Sequence, residues 1–329
     1  RERRRRSWFT SAAEKIKEHN IDALIIPTGT YRYIKALLDT PLKDSKAAVH
    51  VIFHGIGKGE MDRFIKQAHR ANAYKKLYLD VISLRDDMLR PNLPRVRKIL
   101  PPVFLPSSEL NGEQGNCVTQ GNTSIQDKKD ANSTTCIGVN LETPISTNKP
   151  IKLGFFGQFR KEKNIERFID AFVSLNYDDS VQLVVQGATV KPEDGILFES
   201  IIKKYSQYSN IKFIHASLIG KDWDTALMSV NALLLPYGAE RYRYHWAAML
   251  FTAIGFHKPV LISPEINPEV LEQYSIGEFL NLDDVHSIRQ GIQTFVENLQ
   301  HHKEQYNQGL MNANEDYSHR ALIQSIIHV

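Results

Sequence analysis

Two basic residues, Arg160 and Lys163, stand between a short apolar run and a segment with helical spacing of apolar residues. Arginine and lysine bind phosphate groups through charge-assisted hydrogen bonds. A helix N-terminus also favours an anion, because its first N–H groups have no partners within the helix and the dipole is positive there. The pattern therefore indicates a phosphate-binding loop with both side chains exposed. A solvated basic loop is the alternative.

Hydrophobic spacing predicts the elements that position this loop. Residues 151–156 form an apolar run typical of a buried parallel strand. Gly157 permits a tight turn and a close approach of ligand to backbone. Asn164 is predicted to cap the next helix, because apolar residues recur every three or four positions over residues 165–175. The expected order is strand, glycine turn, basic loop and helix.

Residues 157–172 read GQFRKEKNIERFIDAF and resemble the start of the C-terminal domain of GT-B-fold glycosyltransferases, group 1 (family four-like). In that family an arginine and a lysine after the glycine reach the diphosphate of a sugar nucleotide. The resemblance covers residues 151–329 and, more weakly, residues 21–106. The donor-binding residues it implies in this run are Gly157, Gln158, Arg160 and Lys163.

A second stretch, residues 236–260, has the sequence PYGAERYRYHWAAMLFTAIGFHKPV and resembles the nucleotide-sugar segment of the same family. Family members carry two glutamates eight positions apart, where this chain has Tyr244 and Thr252, and His257 replaces the usual glycine. An aromatic-rich surface loop is the alternative interpretation. The residues expected at the donor, including one from the loop after the second strand of this domain, are Gln186, Tyr237, Arg241, Arg243, Tyr244 and Thr252; Tyr242 is a further candidate for stacking.

Strand and helix signals alternate along most of the chain, which predicts parallel α/β sheets. At 329 residues the chain exceeds one typical core. The resemblance implies the GT-B architecture: two Rossmann-like doubly wound domains facing a cleft, the first incomplete at its N-terminus. The expected parts are an acceptor-side domain at residues 1–106, a polar linker or disordered loop at 107–150 and a sugar-nucleotide domain at 151–329.

Element boundaries follow from the same signals. In the first half we expect strands at residues 22–26, 47–53, 77–82 and 103–105 and helices at residues 11–19, 33–38, 61–71 and 85–89. In the second half we expect strands at residues 151–156, 181–185, 211–214, 232–235, 260–262 and 278–280.

Ligands of such sheets bind beyond the carboxyl ends of the strands. This rule places Thr28, Gly29, His54 and Gly55 at the mouth of the first domain. The pair His54-Gly55 resembles the acceptor-domain loop of GT-B enzymes, and His54 is the candidate general base. A hydrogen-bonded structural histidine is the alternative.

Charge divides unevenly, with +11 over residues 1–106 and −7 over the remainder. The basic half, residues 1–98 in particular, is expected to meet something anionic: a nucleic acid, an anionic membrane or a phosphorylated substrate. A nucleic acid is disfavoured because no binding motif is recognisable. Arg63, Lys66 and Arg70 share one predicted helix face, which favours peripheral contact with a membrane.

Two further patterns concern compartment and metal. Cys117 and Cys136 lie in one polar segment, which favours a reducing compartment, and no run approaches the ~20 apolar residues of a membrane span. We expect a cytoplasmic protein, peripheral at the inner face of the membrane. Asp222 and Asp224 form a D-x-D string, but we interpret them as capping a helix at residues 225–230 rather than holding a metal.

The resemblance implies a metal-independent glycosyltransferase without a cofactor. It would move a sugar from a nucleoside-diphosphate sugar to a saccharide or lipid-linked acceptor in polysaccharide or glycoconjugate biosynthesis. Two alternatives remain open. The absent glutamate pair favours a non-catalytic GT-B-like binding module. A sugar-nucleotide epimerase shares the two-domain plan but needs more acid and base groups at strand ends than this sequence offers.

Overall fold

A computed structural model describes residues 1–85, 93–107, 149–239, 242 and 245–327. These residues form two parallel β-sheets with helices packed on them. Both cysteines lie outside the described residues, as do residues 86–89 of the helix predicted at residues 85–89. None of the described helices is both long and apolar enough to cross a membrane.

The first sheet is built from four strands in chain order, with helical crossovers between the first and second and between the second and third. Its order is β1-β2-β3-β4, all parallel. The strands are β1 Ala23–Ile26, β2 Ala48–Phe53, β3 Leu77–Ile82 and β4 Val96–Ile99, and the helices are α1 Glu2–His19, α2 Tyr31–Leu38 and α3 Met61–Ala71.

The helix α3 shows why this region folds as it does. Phe64, Ala68 and Ala71 recur at three- and four-residue spacing and are buried, so one stripe of the helix packs against the sheet. Arg63, Lys66 and Arg70 remain exposed on the other side of the helix, as predicted from their spacing.

Two predictions for this half are wrong. The last strand is β4 at Val96–Ile99 rather than residues 103–105, because two charged residues within β4 hide its strand character from a hydrophobicity pattern. Residues 103–105 instead pack on the second domain, where the Val103 N–H donates to the Tyr317 carbonyl. The first helix begins at Glu2 rather than residue 11, and an Arg6–Glu2 ion pair one turn apart supports its first turns.

The second sheet is parallel throughout, and the order of its strands reverses in the middle of the sheet. All six predicted strands are confirmed within one residue, in the order β10-β9-β8-β5-β6-β7. The strands are β5 Ile151–Phe155, β6 Val181–Gln186, β7 Ile211–Ile214, β8 Ala232–Leu235, β9 Val260–Ile262 and β10 Gly277–Phe279. The order turns back between β5 and β8, and ligands of doubly wound sheets bind beyond the strand ends at such a switch point.

Eight helices surround this sheet or extend from it in the described part of the chain. They are α4 Ile165–Val173, α5 Pro192–Tyr205, α6 Gly220–Met228, α7 Ala248–Gly255, α8 Pro268–Gln273, α9 Val285–His301, α10 Lys303–Asp316 and α11 His319–Ile327. Fully buried phenylalanines such as Phe155, Phe168 and Phe251 fill the core of this domain.

The C-terminal helix α11 returns to the first sheet. Ile326 packs against isoleucines of β2, β3 and β4. The Arg97 side chain in β4 donates to the Ile326 carbonyl and also to the fully buried carboxylate of Asp80. Asp80 further accepts a hydrogen bond from His50 on β2. A buried carboxylate needs such partners, and this network ties the end of the chain to the first domain.

Candidate functional site

Hydrogen bonds to neighbouring residues fix the conformation of the turn after β5. Gly157 has φ +110°, a conformation that suits glycine, and its N–H donates to the Gln186 side-chain oxygen at 2.8 Å. The Gln186 amide in turn donates to the Ala216 carbonyl. Gln186 is 1% exposed, so it fixes the shape of the turn from behind.

Lys163 lies beside that turn, and its predicted exposure is wrong. The residue is 6% exposed, and its Nζ stands 4.6 Å from the centre of the Tyr237 ring and 5.6 Å from that of Phe155. A Cβ placed on Gly157 would be 3.6 Å from the same Nζ. The 3-10 turn at Lys161–Lys163 directs the stem of the side chain inwards over the rings. The ammonium group therefore faces the glycine turn.

Arg160 stays near the surface, as predicted. Its guanidinium donates to the Gln158 side-chain oxygen at 2.9 Å and lies 3.8 Å from the Glu162 carboxylate. About a third of the side chain is exposed. Arg160 and Gln158 thus form the outer edge of the loop that has Lys163 at its base.

Asn164 is the N-cap residue of α4, as predicted, but its side chain accepts no capping hydrogen bond. The residue adopts a left-handed conformation with φ 53°, which asparagine tolerates better than most residues. Its amide nitrogen lies 2.7 Å from the position that a Cβ on Gly238 would take. The side chain is directed at the loop after β8 and packs that loop against the basic turn.

The loop after β8 carries several predicted donor residues. Tyr237 is buried with its ring beside Lys163 and Phe155, and Tyr242 packs on Tyr237 with ring centres 5.1 Å apart. Thr252 is 5% exposed and donates its hydroxyl to the Ala248 carbonyl within α7, so these contacts support a structural role. Arg241, Arg243 and Tyr244 lie outside the described residues.

The first turn of α7 lies beside the same glycine. The side chain of Met249, in its first turn, lies 3.8 Å from the position that a Cβ on Gly157 would take. The Asn267 side chain accepts the N–H of Ala247 just before the helix. The glycine turn, the Lys163 ammonium and this helix end therefore lie close together, and each is a kind of group that favours an anion.

His54 belongs to the first domain and lies in the loop after β2. Its Nε2 is 2.8 Å from the Pro27 carbonyl oxygen, and a carbonyl can only accept, so Nε2 carries the proton. In the neutral ring Nδ1 then carries no proton and can accept one. The imidazole stacks on Trp246 of the second domain with ring centres 6.1 Å apart, so both domains fix its orientation.

His245 also reaches across the cleft, and the sequence analysis missed it. Its Nδ1 donates to the His54 carbonyl at 3.4 Å, and its Nε2 lies 3.7 Å from the position of a Cβ on Gly57. The only sequence signal for this contact is the high proportion of aromatic residues at 242–246, because a local pattern does not predict contacts between domains. An open cleft of about 120 Å³ forms here, lined by residues 28–31, 53–56, 60, 64 and 245.

The loop after β6 meets the glycine turn. The Ala188 N–H donates to the Gly157 carbonyl, and Phe159 donates to Ala188. Next to them, His215 contacts the Thr189 hydroxyl at 3.0 Å through Nε2 and the Glu199 carboxylate through Nδ1. Because the carboxylate fixes the proton on Nδ1, Nε2 accepts from Thr189.

A larger groove of about 580 Å³ lies elsewhere on the second domain. Lys152, Gln182 and Ser209 line it and stand at or just before the amino-terminal ends of their strands. Ligands of this fold bind at the carboxyl ends of the strands, and Gly157 follows the carboxyl end of β5.

The D-x-D string is part of α6, which begins at Gly220, so the predicted capping of a later helix is wrong. Asp224 accepts the backbone N–H of Ser107 at 2.9 Å and anchors the segment that leaves the first domain. In the part of the chain that the structure describes, no three histidine, cysteine or acidic side chains group to hold a metal ion.

Comparison with known families matches residues 142–310 to the model of glycosyl transferases group 1. The chain belongs to this family. A search of curated proteins gives no match. The segment of this group 1 glycosyltransferase that matches the family model contains all strands of the second sheet, together with Gly157 and Lys163.

Solved structures share the fold of this group 1 glycosyltransferase at low sequence identity. Anabaena HepE in complex with UDP is 14% identical with a TM-score of 0.65, over 97% of this chain and 80% of that one. A glycosyltransferase from Rickettsia africae is 12% identical with a TM-score of 0.64, over 97% and 79%. Sucrose-phosphate synthase from Thermosynechococcus elongatus is 14% identical with a TM-score of 0.56, over 98% and 75%. These neighbours confirm the GT-B fold.

Proposed function

We propose that this protein transfers a sugar from a nucleoside-diphosphate sugar to a hydroxyl of a saccharide or lipid-linked acceptor, in polysaccharide or glycoconjugate biosynthesis. The observation that carries the proposal is the convergence of the Gly157 turn, the Lys163 ammonium and the α7 N-terminus at the switch point of the second sheet. Anabaena HepE has been crystallised with UDP, with UDP and glucose, and with UDP-glucose, which supports a donor of this class.

The chemistry follows from the charges at this site. The acceptor oxygen forms a bond to the anomeric carbon, the bond from that carbon to the diphosphate breaks, and the nucleoside diphosphate leaves with the electron pair. Negative charge develops on the leaving phosphate, where Lys163, Arg160 and the helix end stabilise it. Preorganised electrostatic stabilisation of this kind commonly contributes more to an enzyme's rate enhancement than any other effect.

The acceptor proton needs a base, and His54 is the candidate on the facing wall. The Pro27 carbonyl holds the proton on Nε2, so Nδ1 can take the proton of the acceptor hydroxyl. His54 lines the interdomain cleft, which suits an acceptor bound on the first domain.

Calorimetry and thermal shift with a panel of sugar nucleotides test the donor assignment, since a ligand that binds only the folded state raises its stability. We expect one nucleotide class to bind to the wild type and Arg160→Ala to weaken it. Release of the nucleoside diphosphate from a bound donor, alone or with acceptors, then shows turnover. Binding without any release would instead support a non-catalytic module, which is favoured by the absence of the glutamate pair at positions 244 and 252. Interconversion of the donor sugar without an acceptor would indicate an epimerase.

We also propose that the reaction needs neither metal nor cofactor, because side chains and a helix dipole are placed to stabilise the leaving group. Donor binding and turnover should persist within about twofold after treatment with EDTA, an expectation that follows from electrostatic stabilisation by the protein itself. Loss on chelation and recovery with Mg²⁺ or Mn²⁺ would refute metal independence.

A lipid-linked acceptor would place the protein at the inner face of the cytoplasmic membrane, and the exposed face of α3 is the contact we propose. Arg63, Lys66 and Arg70 are all exposed there, and each basic residue near an anionic surface contributes roughly 1 kcal/mol. The protein should sediment with phosphatidylglycerol vesicles at low salt and be released at high salt. Charge reversal at these three positions should weaken binding. Equal binding to neutral phosphatidylcholine vesicles would exclude the electrostatic mechanism.

A further inference from the structure

Two arginines of the first domain converge on one tyrosine. The Arg32 Nε donates to the Tyr31 hydroxyl at 3.0 Å, and an Arg63 terminal nitrogen donates to the same oxygen at 3.2 Å. Both guanidinium groups also lie within 6 Å of the Tyr31 ring centre. Two cations from separate helices, α2 and α3, are thereby gathered around one neutral phenol.

Some other arginines of this half are neutralised within the protein. Arg6 pairs with Glu2 and Asp39, and Arg70 approaches Asp39 as well. In the described part of the chain neither Arg32 nor Arg63 lies within 4 Å of a carboxylate. Two neighbouring cations that share only a phenol oxygen repel one another, so an anion bound between them would be stabilised by both.

The position of Tyr31 connects this pair to the cleft. Tyr31 lines the same small cleft as His54 and His245. Thr30, next to it, also lines the cleft, and its hydroxyl oxygen is buried with no hydrogen-bond partner among the described residues. A buried hydroxyl without a partner is unfavourable, and a ligand oxygen would satisfy it.

We infer that Arg32 and Arg63 bind a phosphate group of the acceptor at the rim of this cleft. The inference rests on the proposed transfer reaction and specifies its acceptor as a phosphate ester, either soluble or in a lipid headgroup. A planar guanidinium binds phosphate oxygens in pairs, and each arginine keeps donors beyond the one used on Tyr31. Glu60 also lines the cleft, so the phosphate is expected on the arginine side and the uncharged part of the acceptor nearer Glu60 and His54.

The test measures binding of phosphate esters without any sugar nucleotide. One arm titrates glucose 6-phosphate, with glucose as its uncharged counterpart, by calorimetry. The other arm measures sedimentation with phosphatidylcholine vesicles that contain phosphatidic acid. The variants are Arg32→Gln/Arg63→Gln and a matched control, Arg6→Gln/Lys35→Gln, which removes the same charge from basic residues that are already paired with carboxylates and lie outside the α3 face.

We expect the first double variant to lose at least tenfold in affinity in one arm and the control to change less than threefold. Loss in the soluble arm assigns a soluble phosphate ester, and loss only with vesicles assigns a lipid phosphate. Equal losses in both double variants, or none in either arm, would overturn the site. Tyr31→Phe gives a second check, since it keeps the ring but removes the oxygen that gathers the arginines; an unchanged affinity in this variant would also count against the site.

Failure here can be told apart from failure of the proposed function. The donor residues Arg160 and Lys163 are intact in every variant, so sugar-nucleotide binding should be unchanged throughout. If the donor binds but neither phosphate ester does, the acceptor inference alone fails.

Discussion

The two walls of the cleft use cations in different ways. On the second domain Lys163 is buried, with its stem on aromatic rings and its ammonium turned to a glycine. On the first domain Arg32 and Arg63 are exposed and meet only at Tyr31. A buried cation is fixed before the ligand arrives and is screened weakly by salt, whereas exposed cations are screened strongly. The proposed donor site is therefore rigid, and the proposed acceptor site that faces it is adaptable.

The largest effect is expected at Lys163. Replacement by alanine should weaken donor binding by about 10- to 100-fold, the loss of one charge-assisted contact of roughly 1–3 kcal/mol. Because the stem is buried, the same change should lower the free energy of unfolding by on the order of 1–2 kcal/mol. Calorimetry and urea unfolding measure the two effects.

Lys163→Met serves as the control, because it keeps an apolar stem without the charge. It should retain near wild-type stability and still lose donor affinity. If Lys163→Met binds the donor normally, the ammonium group does not contact the ligand and the donor wall is misassigned.

A smaller effect is expected from the glycine turn. Gly157→Ala forces an alanine to φ +110°, which costs roughly 1–3 kcal/mol, and its Cβ would stand where a ligand approaches Lys163. Both stability and donor affinity should fall. The matched change in the first domain, Gly59→Ala, meets no atom within 4 Å and should stay within about 0.5 kcal/mol. If the two substitutions lowered stability and donor affinity equally, the contrast between a rigid donor site and an adaptable acceptor site would not hold.

The smallest effect is a titration on the acceptor wall. The hydrogen bond from Arg32, followed by that from Arg63, lowers the pKa of Tyr31 from its ordinary 10.0, because cations favour the phenolate. Arg32→Gln should therefore raise this pKa back towards 10.0. NMR of ring-labelled tyrosine follows the titration, with Arg6→Gln as the control. A Tyr31 pKa that does not move would show that the arginines do not gather there in solution.

Much of the second sheet could be predicted because buried parallel strands are continuous apolar runs, and β8, Ala232–Leu235, consists of one alanine and three leucines. The strand β4 could not be predicted in this way. Its Arg97 is polar in sequence but is held by the buried Asp80 carboxylate and the end of α11, a partnership between residues far apart in the chain.

The sequence by itself determined that a glycine turn, an arginine and a lysine stand between a strand and a helix, because that order depends on local spacing. It also determined the group 1 family segment. Only the tertiary structure decided that Lys163 is buried against Tyr237, that His245 reaches His54 across the cleft, and that Arg32 meets Arg63 at Tyr31. Each of these contacts joins separate elements, so packing between elements, not local periodicity, creates it.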